Sequence, residues 1–309
     1  MKFKRFIVGI VAVGAALMAT ACSGSKSSSS KKTYTPKELT VEFVPSVQAN
    51  KIEAKAKPLA ALLKKQLGIP VRVIVSTDDD GMIEGMASKK VDVGFMPPAT
   101  YVLAHKKKIA DVLLQAERYG YNEPSGTVNH TLVHSYRAGI YVKKGSKIKS
   151  WKDLKGKTIG VRGSVSTSGY IFPIVELYKK GLNVLKSCKL VQIGSDDQAI
   201  IAVENGDVDA AFTFADARPI AAQDDPKVMK DVVPIYFTKP IPNDTISVRH
   251  DMSYKFRKKL AKAFKAIAKS KKGRKIIESI YSHYGYVSSK DSNFDIVRQY
   301  DKILAKIQK

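Results

Sequence analysis

Three neighbouring hydroxyl side chains are the residues of this chain best suited to chemistry. Ser166, Thr167 and Ser168 lie in the segment GSVSTSGYIFP, just before a glycine, an aromatic residue and an apolar run. Such a cluster can cap a helix, donate hydrogen bonds to an anion or supply a nucleophile. The segment is not a G-x-S-x-G elbow and has no histidine nearby, which argues against a catalytic serine. Because a cap needs one hydroxyl rather than three, the cluster favours an anion site.

Three aspartates and a tyrosine are further candidates. Asp216 lies in TFADARP, Asp244 in IPNDT, and Asp197 in SDDQA at the head of a predicted helix. Their carboxylates would suit a cationic group on a ligand, but they would equally suit the capping of turns and helices. Tyr101 follows PPAT, and it could either hydrogen-bond an oxyanion or pack in the core. Both interpretations stay open for all four residues.

Two segments of parallel design would position these side chains. VRVIV (71–75) leads through a polar turn and a short helix to VDVGF (91–95), and KLVQI (189–193) leads in the same way to DVDAAF (207–212). Each pattern predicts a βαβ unit with parallel strands, so we expect an α/β protein of two similar lobes. Ligands of parallel sheets bind beyond the carboxyl ends of the strands. MPPATY (96–101) and TFADARP (213–219) should therefore face a shared cleft.

The first 22 residues predict an export signal. Lys2, Lys4 and Arg5 precede an apolar run that is too short to span a bilayer, and ATAC closes it. The small residues before Cys22 are typical of a bacterial lipoprotein signal, in which that cysteine carries lipid; ordinary cleavage with a free thiol is the alternative. Residues 23–35, rich in serine and lysine, predict a flexible tether.

Charge and the remaining reactive residues narrow the function further. The net charge of +25 falls to +22 once the three basic residues of the signal are removed, and such a surface attracts anions. No nucleic-acid motif accompanies this basic surface.

His130 and His134 are four residues apart, but their β-branched segment predicts a strand or loop, so we expect no metal site. Cys188 is the only other cysteine, which leaves no thiol pair in the mature chain.

An ordered set of motifs carries a resemblance to a known family. VEFVPSVQANKIEAKAKPLAALL, VDVGFMPPATYVLAH, SWKDLKGKTIGV, STSGYIFP, AVENGDVDAAF and IPNDTISVR together resemble the phosphonate-type solute-binding proteins of ABC importers. The resemblance implies a two-lobed type II periplasmic-binding-protein fold, in which each lobe is a mainly parallel sheet flanked by helices. It also implies two hinge crossovers, with lobe 1 formed by residues 36–137 and 246–309 and lobe 2 by residues 138–245.

The resemblance also implies roles for particular residues. The serine/threonine turn that holds phosphonate oxygens corresponds to Ser166, Thr167 and Ser168, and the aromatic residue after the first lobe's repeated strand to Tyr101. The loop PSVQANK supplies Ser46 and either Gln48 or Asn50. Two acidic residues that bind an ammonium group in aminophosphonate binders correspond to Asp216 and Asp244. Asp197 stands where those binders have a histidine, and it cannot donate to a dianion.

We therefore expect a lipid-anchored receptor on the extracellular face of a single-membrane bacterium. It would pass a small phosphonate or related phosphorus oxyanion to a membrane permease and its ATPase, as a monomer without catalysis, cofactor or nucleic acid. Three alternatives stay open: a binder of a sulfonate or thiamine precursor, an envelope adhesion lipoprotein, and a lipoprotein hydrolase.

Overall fold

Two mixed sheets form the framework of the computed structural model, which describes residues 33–46, 49–215 and 217–309. The predicted signal, Cys22, Gln48, Asp216 and all but the end of the predicted tether lie outside the described residues. The strands are β1 Leu39–Phe43, β2 Val71–Val75, β3 Val93–Met96, β4 Ala110–Asn122, β5 Thr127–Val133, β6 Ser135–Tyr136, β7 Ala138–Lys143, β8 Thr158–Val161, β9 Lys189–Gln192, β10 Ala210–Phe214, β11 Val232–Phe237, β12 Ile241–Pro242, β13 Thr245–Arg249 and β14 Gly285–Ser288. The α-helices are α1 Ala49–Leu67, α2 Asp79–Ala87, α3 Pro98–Lys106, α4 Phe172–Lys179, α5 Val184–Ser187, α6 Asp196–Asn205, α7 Ala217–Ala221, α8 Val228–Asp231, α9 Tyr254–Lys269, α10 Lys271–Tyr281 and α11 Asp295–Ile307.

The first lobe is built on a seven-stranded sheet. Its strand order is β14-β4-β13-β3-β1-β2, and β5 pairs with β4 to one side of this path. Strand β1 lies between β2 and β3 and is parallel to both, whereas β13, β14 and β5 make antiparallel pairs. The parallel strands are rich in valine and phenylalanine because both faces of this part of the sheet are covered.

The second lobe is built on a five-stranded sheet with the same parallel core. Its order is β11-β7-β10-β8-β9, in which β8 is parallel to both β9 and β10. The predicted units β2-α2-β3 and β9-α6-β10 are therefore confirmed, each with an earlier strand of the chain inserted between its two strands. The carboxyl ends of β1, β3, β8 and β10 are consequently the places from which cleft loops begin.

A short two-stranded ribbon of β6 and β12 lies where the chain passes between the sheets. Tyr136 pairs with Ile241, and Ser135 pairs with Pro242. Residues 33–309 form one compact unit. The exact residues at which one lobe gives way to the other stay a prediction.

Amphipathic helices cover the first sheet as their apolar spacing predicts. In α1, Leu59, Leu63 and Leu67 are buried, and in α9 the stripe of Phe256, Leu260, Phe264 and Ile267 is buried too. Helix α1 begins at Ala49 and contains Pro58 within its length. These side chains share one core with the valines and phenylalanines of β1 and β3.

The C-terminal helix α11 packs against both lobes. Phe294, just before the helix, contacts the Tyr101 ring of α3 at a centroid distance of 4.9 Å. Tyr300 stacks on Phe172 of α4 at 4.1 Å and donates a hydrogen bond to Glu176. Among the described residues, no helix has the length and apolar character needed to cross a bilayer.

Candidate ligand-binding site

A cavity lies between the two lobes, where the loops after β1, β3, β8 and β10 meet. Its volume of about 70 Å³ corresponds to about five water-sized groups. Two arginines and three aspartates are among its described lining residues. The polar side chains that line it are Ser46, Asp79, Arg118, Tyr136, Arg162, Ser166, Thr167, Ser168, Asp196, Asp244, Tyr281 and Ser282.

The hydroxyl cluster forms one wall of this cavity. Ser166 caps a turn of π-helix, Thr167–Ile171, which continues directly into α4, and its hydroxyl accepts a hydrogen bond of 3.3 Å from the Gly169 N–H. Thr167 and Ser168 are buried. A helix that begins at the cavity wall presents backbone N–H groups and the positive end of its dipole, both of which stabilise an anion.

Arg162 supplies positive charge beside these hydroxyls. It follows β8 directly, is almost fully buried, and packs beneath the hydroxyl turn. A Cβ at Gly169 would lie 2.1 Å from its Cγ, so only glycine allows the turn to approach this side chain so closely. The guanidinium group donates to Ile193 O at 3.0 Å and to Pro45 O at 2.8 Å, and it pairs with Asp196 at 3.6 Å.

Hydrogen bonds across the cleft hold the lobes together around the cavity. The Ala99 N–H at the start of α3 donates to Thr167 Oγ1 at 2.9 Å, and the Asp196 N–H donates to Ser46 O at 3.2 Å. The bond from Arg162 to Pro45 O joins the lobes in the same way. At the rim, Lys51 Nζ lies 2.7 Å from Asp224 Oδ1. The structure is therefore that of the closed arrangement of the two lobes.

Two buried carboxylates flank Arg162. Burial raises the pKa of Asp196 to about 7, and the neighbouring charges of Asp197 and Asp79 act in the same direction, while Arg162 opposes them. Burial likewise raises the pKa of Asp79, whose carboxylate accepts a hydrogen bond from Thr100. Asp196 Oδ1 has no hydrogen-bond partner among the described residues. Near neutral pH, Asp196 is therefore poised either to carry a proton or to meet a donor on a ligand.

The third carboxylate, Asp244, belongs to a separate cluster. Arg118 Nη2 lies 3.1 Å from Asp244 Oδ2, and His283 Nε2 lies 3.4 Å from the same oxygen. The Arg118 guanidinium also lies 5.0 Å from the centre of the Tyr136 ring. Burial, followed by the charge of Asp244, raises the pKa of Tyr136 and of Tyr281 well above the usual value. Both phenols are therefore neutral and can only hydrogen-bond.

The structure brings five of the eight ligand-contact candidates to the cavity. Ser46, Asp244 and the three hydroxyls of residues 166–168 line it, and Asp216 lies outside the described residues. Tyr101 is elsewhere: its side chain is fully buried and its hydroxyl donates to Asp291 at 2.7 Å. Asp197 is also turned away from the cavity, and its carboxylate accepts a hydrogen bond from the Ser195 hydroxyl. The preceding residue, Asp196, lines the cavity instead.

Sequence reasoning did not find Arg162, Arg118, Asp79 or Asp196. Arg162 carried a usable signal, since it stands between a buried strand and the hydroxyl turn. Arg118 carried none, because it lies within the long strand β4 and meets Asp244 only through strand pairing of distant segments. In the part of the chain that the structure describes, no group of three or more acidic, histidine or cysteine side chains could hold a metal ion.

Comparison with known proteins finds chains of similar sequence. A family model described as "ABC transporter, phosphonate, periplasmic substrate-binding protein" matches residues 41–294. The phosphate-import protein PhnD of Mycolicibacterium smegmatis is 29% identical over 215 residues. That match covers 67% of this chain and only 64% of the relative's length.

Solved structures of low sequence identity share the fold. The binding-protein component of an ABC phosphonate transporter from Pseudomonas aeruginosa has a TM-score of 0.75 at 19% identity, covering 88% of this chain and 87% of its own. PhnD1 from Prochlorococcus marinus in complex with methylphosphonate also has a TM-score of 0.75, at 18% identity, covering 88% of this chain and 100% of its own. The two-lobed periplasmic-binding-protein fold expected from the sequence is thus confirmed.

The raised pKa of Asp196 predicts a pH-dependent cost to stability. In the unfolded chain its pKa is near 3.8, so folding takes up a proton between about pH 4 and pH 7, and stability falls as pH rises through that range. In Asp196→Asn this loss is absent. We expect the free energy of unfolding in urea, variant minus wild type, to be about 2 kcal/mol larger at pH 8 than at pH 5.

Asp207→Asn, an exposed change in the same lobe, serves as the control and should show no such difference. An Asp196→Asn effect that is the same at both pH values would contradict a raised pKa at this position.

Proposed function

Because the chain belongs to the family of periplasmic substrate-binding proteins of phosphonate ABC transporters, we propose that it captures a small phosphonate or related phosphorus oxyanion in the interlobe cavity and delivers it to a membrane permease. The observation that supports this most directly is the hydroxyl turn of residues 166–168 at the cavity wall, backed by Arg162. Binding and release, without turnover, is the proposed task.

The anionic end of the ligand would lie against the hydroxyl turn. Ser166, Thr167 and Ser168 each have an O–H that can rotate toward a phosphorus oxygen, and the N-terminal N–H groups of the helix add further donors. Thr167 already accepts a bond from Ala99 N–H, so its own proton is available to a ligand oxygen. The small volume of the cavity suits a tetrahedral group with a short substituent.

The acidic residues would contact the remainder of the ligand. Asp244 and Asp196 can accept a hydrogen bond from a P–O–H group or from an ammonium group, since both are donors that a carboxylate can bind. With three aspartates against two arginines, the described lining has a net negative formal charge when all are ionised. An ammonium group on the ligand would offset one of these carboxylates locally, and we therefore include amine-bearing phosphonates in the proposed ligand class.

The N-terminal segment would keep this receptor beside its transporter. A lipid on Cys22 would hold the protein at the outer face of the cell membrane, where the permease and its ATPase accept the ligand. The Mycolicibacterium relative is a phosphate-import protein, which supports import of a phosphorus oxyanion. The methylphosphonate complex of the Prochlorococcus neighbour supports a phosphonate.

Removal of the hydroxyl cluster tests the anion site. The triple variant with Ser166, Thr167 and Ser168 changed to alanine removes three donors from the cavity wall. We expect its affinity for methylphosphonate or phosphate, whichever the wild type binds, to fall at least about 100-fold, because two to three hydrogen bonds to a charged group are lost. Isothermal titration calorimetry measures this directly.

The matched control changes three exposed hydroxyls, Ser88, Thr127 and Ser279, to alanine. It should keep wild-type affinity. Unchanged binding by the cavity variant, with its thermal unfolding midpoint intact, would reject the assignment of the hydroxyl turn.

Asp244→Asn tests the acidic subsite. The variant keeps the shape of the side chain but removes the charge that attracts a cation. We expect the affinity for 2-aminoethylphosphonate to fall about tenfold more than the affinity for methylphosphonate, which has no amine. Equal losses for the two ligands in calorimetry would show that Asp244 does not contact an ammonium group, and Asp207→Asn again provides the neutral control.

A further inference from the structure

Two adjacent helices of the first lobe, α9 and α10, carry a large share of basic residues. Helix α9 has seven basic residues and no acidic residue, and α10 has four basic residues and one acidic residue, Glu278. By contrast, α2 and α6, which begin at the cleft, have more acidic than basic residues. The ligand cavity therefore does not account for the basic surface of the first lobe.

On α9 the lysines form one exposed stripe. Lys255, Lys258, Lys262, Lys265 and Lys269 follow spacings of three and four residues, which places them on one face of the helix. All but Lys265 are exposed; Lys265 is half-buried and donates to Ser288. The opposite face carries the buried apolar stripe that packs on the sheet. Four lysines of this helix, with Thr35 and Ser253, surround a shallow surface depression.

An aromatic side chain stands at the start of the same stripe. Tyr254 is 71% exposed, more than any other large hydrophobic side chain among the described residues. Lys258 Nζ lies 4.6 Å from the centre of its ring. An exposed tyrosine beside lysines is the combination that favours the interface between a bilayer and water, where the ring enters the headgroup layer and the ammonium groups meet phosphates.

Tyr34 and Thr35, which are among the first residues of the compact unit, lie beside the start of this stripe. Tyr34 N–H donates to Asp251 O and Ser253 N–H donates to Tyr34 O, both at 2.7 Å, while the hydroxyls of Thr35 and Ser253 lie 2.7 Å apart. Strand β13 separates this point from the cleft, because Thr245 pairs with Met96 beside the cavity and Arg249 is at the other end of the strand. The eleven peptide links from Cys22 to Thr33 can span at most about 40 Å. A lipid on Cys22 would thus hold this end of the lobe near the membrane.

We propose that the lysine stripe of α9, with Tyr254 and the basic residues of α10, is a docking surface for an anionic lipid bilayer. Salt screens charges beyond about 8 Å, so only a surface in direct contact with the bilayer would gain from these lysines. The stripe meets that condition, since it is exposed and begins where the chain enters. The cavity, at the other end of β13, stays accessible to ligand.

Vesicle sedimentation tests this surface without the lipid anchor. The polypeptide of residues 23–309, which contains the whole compact unit, is mixed with vesicles of phosphatidylcholine alone or with added phosphatidylglycerol. We expect binding only to the vesicles that contain phosphatidylglycerol, and weaker binding as salt rises. With Lys255, Lys258, Lys262 and Lys269 changed to glutamine, the partition coefficient should fall at least about 100-fold.

The matched control changes four exposed lysines of the second lobe to glutamine: Lys144, Lys147, Lys149 and Lys155. It removes the same charge and should lose much less binding. Equal losses in the two variants, or no preference of the wild type for anionic vesicles, would overturn the proposal. So would displacement from the vesicles by a soluble polyanion, duplex DNA, at equal phosphate concentration.

Ligand binding by the α9 variant tests the proposed ligand function independently of the docking surface. Stabilisation of the α9 variant by methylphosphonate or phosphate should match that of the wild type, because the stripe does not line the cavity. Loss of vesicle binding with intact ligand binding supports the docking surface, and loss of both in the α9 variant would contradict it.

Discussion

The guanidinium group of Arg162 lies buried between the two lobes and joins the parts on which the cleft depends. It bonds to the loop after β1 through Pro45 O and to the end of β9 through Ile193 O, and it pairs with Asp196 at the start of α6. Gly169 lets the hydroxyl turn lie directly on it. A buried charge is costly unless it is paired and hydrogen-bonded. The bond to Pro45 O exists only while the lobes are together, so closure completes the set of partners that this charge requires.

Carboxylates lie beside the buried Arg162 guanidinium, so the cavity contains acidic as well as basic groups. A lone buried arginine would bind any anion, whereas Asp79 and Asp196 beside it penalise an anion that brings no proton or cation of its own. Burial raises the pKa of both carboxyl groups, so the site can adjust its charge by one proton near neutral pH. Recognition in this cleft would thus rest on a balance between the hydroxyl turn, two arginines and three carboxylates. Binding of ligand and movement of protons are then linked.

Local patterns predicted the α/β class, the two similar lobes and the hydroxyl turn, because strand, turn and helix signals act over a few residues. The two βαβ units and the stripe of α9 follow from such spacing alone. The type II periplasmic-binding-protein fold followed from the family resemblance. Local patterns could not predict the direction in which each helix side chain points, or which distant segments of the chain come together. Adjacent residues of a helix point about 100° apart, so Asp196 faces the cavity while Asp197 does not. The same rotation turns Tyr101 of α3 toward Asp291. Arg118 meets Asp244 across 126 residues of sequence, a contact that only the sheet order creates.

Calorimetric titration of the wild-type chain near pH 7 tests the central claim most directly. Methylphosphonate, phosphate and phosphite are compared with methanesulfonate and sulfate, which are similar in shape but fully ionised and without an O–H donor. At least one phosphorus oxyanion should bind with a stoichiometry of one, and at least about 100-fold more tightly than either sulfur oxyanion, because carboxylates that receive no proton repel the latter. Failure of all three, and of 2-aminoethylphosphonate, to bind would contradict the account, as would equal affinity for a sulfur oxyanion.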